Sequence, residues 1–365
     1  MRSMVLLGVP ALLLAVVTPA QAATQPACGD EITTSTTLTA DLVCEDVGLV
    51  VATDRVVLDL GGHALSGKIA LSVEGASRAV VRNGSINGHR TGGVSLRGTR
   101  DLVFDTVTLS AGIDAADARD TTFQRVRQTG RSAEMLFTGY SQLRAQDSAF
   151  EAYAFRCTDR STCRLVRSTT TISDYFTCDD TSQWHVTGGK LTATWISCAT
   201  LAVTGADLTT FRVTTKALTI SDARVGGGMI LQTNTARIVR TRFSGGQAAL
   251  MIVRIEGGTI RQNTFADGRA AGLFVNVATP AKLAVEANAF TANGHLSELV
   301  DLGGNAVKDG AHLHTGEGSS VEVTGNRATG NARYGIWAQP WVVDDGRNTT
   351  HDDPLGCLNV ACIPV

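Results

Sequence analysis

The segments Ile260–Gly268 (IRQNTFADG), Val285–Gly294 (VEANAFTANG) and Val323–Ala332 (VTGNRATGNA) repeat one phrase: an apolar residue, an asparagine three positions on, and Phe or Ala two beyond that. Walking backward from Ile260, the apolar position recurs at Ile238, Ile220, Val203, Val186, Leu165, Ala145, Phe123, Phe104, Val81 and Leu60, ten steps over 200 residues. Five residues after each comes a second apolar position in most repeats: Leu65, Ile86, Leu109, Phe150, Leu191, Leu208, Val225, Phe243, Phe265 and Phe290, with Gln128 and Thr170 breaking the series. A third short strand precedes each pair, often opened by glycine, as in GVSLRG from Gly93, GMILQT from Gly228 and GLFVNV from Gly272. Three alternating strands every 20 or so residues, rich in Val, Ile, Thr and Phe, predict an all-β coil rather than hairpins.

Such a coil is a single-stranded parallel β-helix, here of about thirteen rungs. Equivalent residues then stack at the strand spacing of about 4.8 Å, so Asn263, Asn288 and Asn326 should lie over one another in a tight turn. There their amides would satisfy turn groups otherwise buried unpaired, which makes them structural. Gly84, His63 and Thr241 hold the same offset elsewhere.

The first residues read as an address. Arg2, the apolar run Val5–Val17 and the Ala20-Gln21-Ala22 cleavage pattern predict a secretory leader over 1–22. Without Arg2 the chain carries 31 basic and 34 acidic side chains, a balance with no long-range pull on nucleic acid. Its 27 arginines against 5 lysines are scattered along the chain. No later run is apolar enough for a membrane-spanning helix. A secreted, monomeric protein is expected, with 23–55 as an N-terminal cap and first strands, 56–340 as the coil, and 341–365 as a tail holding a Cys357/Cys362 loop.

Eight cysteines in an exported chain predict disulfides. They fall in local sets: Cys28 with Cys44, then Cys157, Cys163, Cys178 and Cys198, then Cys357 with Cys362. Cys157, Cys178 and Cys198 are one rung apart in turn, and two rungs are too far apart to bridge. Cys178–Cys198 with Cys157–Cys163 is the economical pairing.

The stretch Cys28–Cys44 (CGDEITTSTTLTADLVC), leading to Val56–Gly67 (VVLDLGGHALSG) and then the rungs, resembles the secreted right-handed parallel β-helix proteins of the pectate-lyase-like superfamily, over roughly residues 28–340. The resemblance implies a right-handed coil, a cap formed by Cys28–Cys44, and ligands on the sheet built from the first strand of each rung. The DH, NTD, GHG and DPH motifs of the family's lyases, polygalacturonases and epimerases are missing, so no catalytic residue carries over.

Alternation assigns Met135/Phe137, Phe211/Val213, Met229/Leu231 and Leu273/Val275 to the inside of the first strands. The outer row then holds Leu136, Arg156, Ile196, Arg212, Ile230, Gln232, Met251, Phe274, Asn276, His312, His314, Trp337 and Gln339. Several are large and apolar, which calls for a covering segment or an apolar-surfaced ligand.

Two groups could carry chemistry. The rung that starts at Val285 is 38 residues long, and its excess, His295–His314 (HLSELVDLGGNAVKDGAHLH), holds His295, Glu298, Asp301, Asp309 and the pair His312 and His314, a His-x-His with nearby carboxylates suited to acid–base work or metal ligation. The second group is Asp174, Tyr175, Asp179, Asp180 and His185 in Ser173–Val186 (SDYFTCDDTSQWHV), with Arg156 and Arg212 on neighbouring rungs. Related lyases use Ca²⁺ with arginine to neutralise a uronate, and paired carboxylates serve glycoside hydrolysis. Three functions compete: a carbohydrate-active protein acting on a polysaccharide as lyase, hydrolase or epimerase; a cyclase for an apolar small molecule; and a secreted binding or surface protein without catalysis.

Overall fold

The computed structural model describes residues 25–179, 181–296 and 299–365; the leader expected at 1–22, together with Asp180 and Glu298, lies outside them. Among the described residues every strand pairs with its neighbours in parallel, and no helix occurs. The chain winds as a parallel β-solenoid of the right-handed type with about 15 turns.

The stacked interior follows the sequence period. Val81, Phe104, Phe123, Ala145, Leu165 and Val186 are in direct register, as are Ile220, Ile238, Ile260, Val285 and Val323. All are buried. The second column runs from Leu65 through Ile86 and Leu109 to Gln128, Phe150 and Thr170, with Gln128 and Thr170 also buried. Near its C-terminal end Phe243, Phe265 and Phe290 stack with ring centroids 5.1 and 5.4 Å apart.

One expected column residue is displaced. Val81 pairs with Leu58, not Leu60, because the turn after it holds two extra residues and Leu60 falls inside that turn. Gly61 makes this possible: its φ is 61°, and a side chain there would collide with the Leu38 carbonyl.

The count of thirteen rungs is corrected to about 15, because both ends join the coil. Val47–Val51, read as cap and first strands, pairs with Ile69–Glu74. Beyond residue 340, Asn348–His351 pairs with Arg327–Thr329 and with Cys362–Pro364, so the expected tail continues the winding.

Four disulfides close: Cys28–Cys44, Cys157–Cys163, Cys178–Cys198 and Cys357–Cys362, with Cα separations of 5.6, 6.7, 4.6 and 5.9 Å. Such bridges fit an oxidising compartment. Among the described residues no helix is long and apolar enough to cross a membrane.

The turn ladder takes the predicted form. The Asn263 amide N–H and side-chain Nδ2 both donate to Asn288 Oδ1 (2.9 and 3.0 Å), and Nδ2 also donates to the Ile238 carbonyl. Asn288 repeats this to Asn326, and Asn326 to Asn348. A second ladder, Asn293 to Asn331 to Asp353, runs along the next turn. In the middle of the molecule serines take over: the Val126 N–H donates to Ser148 Oγ, and the Ser148 N–H to Ser168 Oγ.

The arginines are less scattered in space than in sequence. Arg82 meets Asp59, Arg125 meets Asp105, Arg167 meets Asp147 and Arg240 meets Asp222, each pair joining adjacent rungs along one edge. Rung spacing suits the guanidinium fork, which reaches a carboxylate one strand away with two nitrogens.

Candidate functional site

The outer face of the first-strand sheet carries two parallel tracks, because alternate residues of each strand face out. One track runs in register through Tyr175, Trp195, Arg212, Ile230, Met251, Phe274, His312 and Trp337. The other begins at Leu136 and runs through Arg156, Thr177, Ser197, Thr214 and Gln232, and resumes with Asn276 and His314. The first is aromatic and apolar apart from Arg212 and His312; beyond Leu136 the second is polar.

Ile196 is a correction. It pairs with Phe176 and Val213 and is fully buried, so it faces the core. Its neighbour Trp195 takes the outward position and is 46% exposed. Between Ile172 and Tyr175 the register shifts by one residue, which is what alternation counted along the sequence misses. Phe211 is also a correction: expected inside, it is 62% exposed, next to Arg212 in the strand Asp207–Ser221.

The middle group separates into two parts. Arg156 lies over the Tyr175 ring at 5.3 Å, Arg212 lies over Trp195 at 6.0 Å, and Tyr153 meets Tyr175 edge to face. The Tyr153 hydroxyl is pushed up to about 12 by its hydrogen bond to Asp174 and, next, by Tyr175. Arg212 Nε is shielded from solvent without a hydrogen-bond partner. Asp179 belongs elsewhere. Its carboxylate accepts from the Thr181 and Asp159 N–H groups and from the Thr181 and Ser182 hydroxyls. Against the opposing effect of burial, these bonds hold it down to about 2. It builds a turn, and Asp180 beside it lies outside the described residues.

At the other end the long rung folds back over the face. Leu299 and Val307 of the insertion pack with Ala248, Ala270, Ala271, Met251 and Phe274, and Phe274 is left 1% exposed. The covering segment is therefore the insertion. Trp341 instead donates its indole N–H to Thr315, and Val342 joins the main core.

Beneath the insertion lies a buried ionic network. His312 is stacked on Trp337 with centroids 4.0 Å apart. Its Nδ1 faces Asp309 Oδ2 at 2.7 Å and its Nε2 faces Asp301 Oδ2 at 3.0 Å. Each ring nitrogen thus has a carboxylate oxygen as its hydrogen-bond partner. Arg333 donates to both oxygens of Asp309, at 2.9 and 2.8 Å. His312 and both carboxylates are fully buried, while the Arg333 side chain reaches the surface at 24% exposure. Burial would push Asp301 up, but bonds from Asn305 and then His312 hold it far below the usual carboxylate range.

His314 is the opening in this network. Its Nδ1 is 3.0 Å from Asp301 Oδ2 and 2.9 Å from the Gln339 side-chain amide. Nε2 meets no protein partner among the described residues, and the side chain is 16% exposed. His312 and His314, an equivalent pair in sequence, therefore differ: one is sealed and the other has a free nitrogen. Trp195, Tyr153, Asp301 and Arg333 complete the face and were not among the expected outer residues. Among the described residues no group of three or more His, Cys, Asp or Glu side chains is arranged to hold a metal ion.

No family model matches the chain, and no curated protein matches it. Among solved structures it is similar to the catalytic domain of a GH87 alpha-1,3-glucanase in complex with nigerose, at 10% identity and a TM-score of 0.17. The match covers 92% of this chain and 62% of that one, so the chain spans less than two thirds of that protein's length.

Proposed function

We propose that the protein is a secreted, monomeric, carbohydrate-active β-helix protein that binds a glycan along the outer face of its first-strand sheet. The observation that carries this reading is the pairing of the two tracks. A sugar ring has an apolar face and a rim of hydroxyls. Tyr175 and Trp195 supply a surface for the first, and Thr177, Ser197, Thr214 and Gln232 supply partners for the second, two residues away on the same strands. Arg156 and Arg212 favour a sugar bearing a carboxylate. His314, oriented by Asp301, is the acid–base group that the face offers.

Packing argues against an apolar small-molecule substrate. Phe274 is sealed by the insertion and Trp337 is stacked on His312, which leaves only a cleft of about 140 Å³ lined by Phe211, Met229, Ile230, Ala248 and Met251.

Titration calorimetry with neutral and uronate oligosaccharides tests this reading. Trp195→Ala is expected to weaken binding about 10-fold, the effect of roughly 1.4 kcal/mol, with the melting temperature unchanged because Trp195 lies outside the core. Equal affinity in the variant and the native protein, or no sugar binding by either, would remove the basis for the reading.

A further inference from the structure

We infer that the outer face of the second-strand sheet carries a separate oxyanion site, formed around Arg144 and Arg164, for the sulfate or carboxylate groups of an anionic glycan. Thr122, Arg144, Arg164 and His185 stand in direct register on four successive rungs. The backbones of Arg144 and Arg164 are thus about one strand spacing apart, roughly 4.8 Å, with both side chains on the same face. Like charges directly opposite on a sheet destabilise it.

Among the described residues arginines stack in register at two other places, but there Arg224 meets Asp207 and Arg119 lies over the Tyr140 ring. Along the neighbouring edge Arg82, Arg125, Arg167 and Arg240 each face a carboxylate on the adjacent rung. Here, among the described residues, Arg144 has only a 3.4 Å contact with the Gln146 side-chain oxygen, and Arg164 has no ion pair. The fold does not need the repulsion, since alanine, threonine and valine all serve at this outward column: Val103 stands one rung before Thr122, and Thr219 is in register with Ala202 and Arg237 further on.

The surroundings fit an oxyanion. A cleft of about 180 Å³ is lined by Asp120, Thr122, Gln142, Arg144, Thr162 and Arg164. Apart from the Asp120 carboxylate at its edge, every polar group in that lining can donate a hydrogen bond. A guanidinium presents two parallel N–H groups to a carboxylate or sulfate, and two stacked guanidiniums can grip one anion or successive anionic groups of a chain. The field of Arg164 extends along the column: burial first, and then Arg164, hold the His185 imidazole below its ordinary range. Close by, Arg119 and Arg160 both lie over the Tyr140 ring, at 5.8 and 5.7 Å, adding positive charge on the approach.

The test is titration calorimetry at fixed ionic strength with three probes: inorganic sulfate, a sulfated oligosaccharide and a uronate oligosaccharide. Arg164→Gln, which keeps a polar side chain of similar reach, is expected to weaken binding at this site at least 10-fold. Trp195→Ala should leave it unchanged, which separates this site from the first-strand face. Binding of all three probes identifies a general oxyanion site; binding of the oligosaccharides alone identifies a glycan site. Without ligand, Arg164→Gln should melt at the same or a higher temperature, because like-charge repulsion is relieved. The inference is overturned if none of the probes binds, if Arg164→Gln binds them as the native protein does, or if the unliganded variant melts several degrees lower, which would make Arg164 a structural partner.

Discussion

Replacing Asp309 with alanine is expected to cost about 3–5 kcal/mol, because it removes one partner from a buried ion network and leaves the others in place. Arg333 would lose both of its carboxylate bonds and His312 the bond to Nδ1, while His312 stays fully buried against Trp337. The loss should be local. A solenoid is stabilised rung by rung, so rungs near the N-terminus should keep their stability. Hydrogen exchange read by mass spectrometry is the fitting measurement: protection should fall in Asp309–Thr315 and Ile336–Ala338 and remain in Val80–Asn87. A cost under about 1 kcal/mol would mean that water reaches the network and solvates the freed charges.

The second large effect is expected in the asparagine ladder. Asn288 accepts from the Asn263 N–H and Nδ2, and donates to the Ile260 carbonyl and to Asn326 Oδ1. Alanine at this position strands a buried N–H and a buried carbonyl, each costing about 1–3 kcal/mol, and takes the bonds to Asn326 with it. The total expected is about 3–5 kcal/mol, at the upper end for a single substitution. Gln262→Ala, one residue from Asn263 but exposed, is the control and should change stability by less than about 0.5 kcal/mol. Comparable melting temperatures for the two variants would show that the ladder is not a main support of the turns.

These two sites also show how legible the sequence was. The ladder could be read because Asn at a fixed offset from a periodic apolar residue has one economical explanation. Ser148 and Ser168 perform the same task at the same offset, but serine is so common in turns that its spacing carried no signal. The partnership of Asp309 and Arg333 could not be read. It links residues 24 apart, and only the coil's winding brings them together. The insertion announced itself by length, and its covering role follows from the apolar residues beneath it. Which half of the face it covers depends on pairing register. The most consequential slip was a single residue. The irregularity between Ile172 and Tyr175 turns Ile196 inward and Trp195 outward, so the aromatic side chain at the centre of the proposed binding face lay one position from the residue that alternation selected.

The two ends of the first-strand face have different physical characters. Toward the C-terminus the apolar track is sealed by the insertion, and its charges are paired within the protein. In the middle, Tyr153, Trp195 and Phe211 stay exposed beside Arg156, Arg212 and the small polar residues Thr177, Ser197 and Thr214. Exposed aromatic side chains of this size do not help the solenoid fold, since each leaves apolar area in water. A ligand that covers them accounts for their presence.

The most direct measurement is a crystal structure of the protein with an oligosaccharide that binds it in solution. The account predicts sugar rings seated over Tyr175 and Trp195, with hydroxyls directed to Thr177, Ser197 and Thr214 and any carboxylate within reach of Arg156 or Arg212. Sugar bound only at the ends of the coil or on another face, with Trp195 left bare, would contradict it.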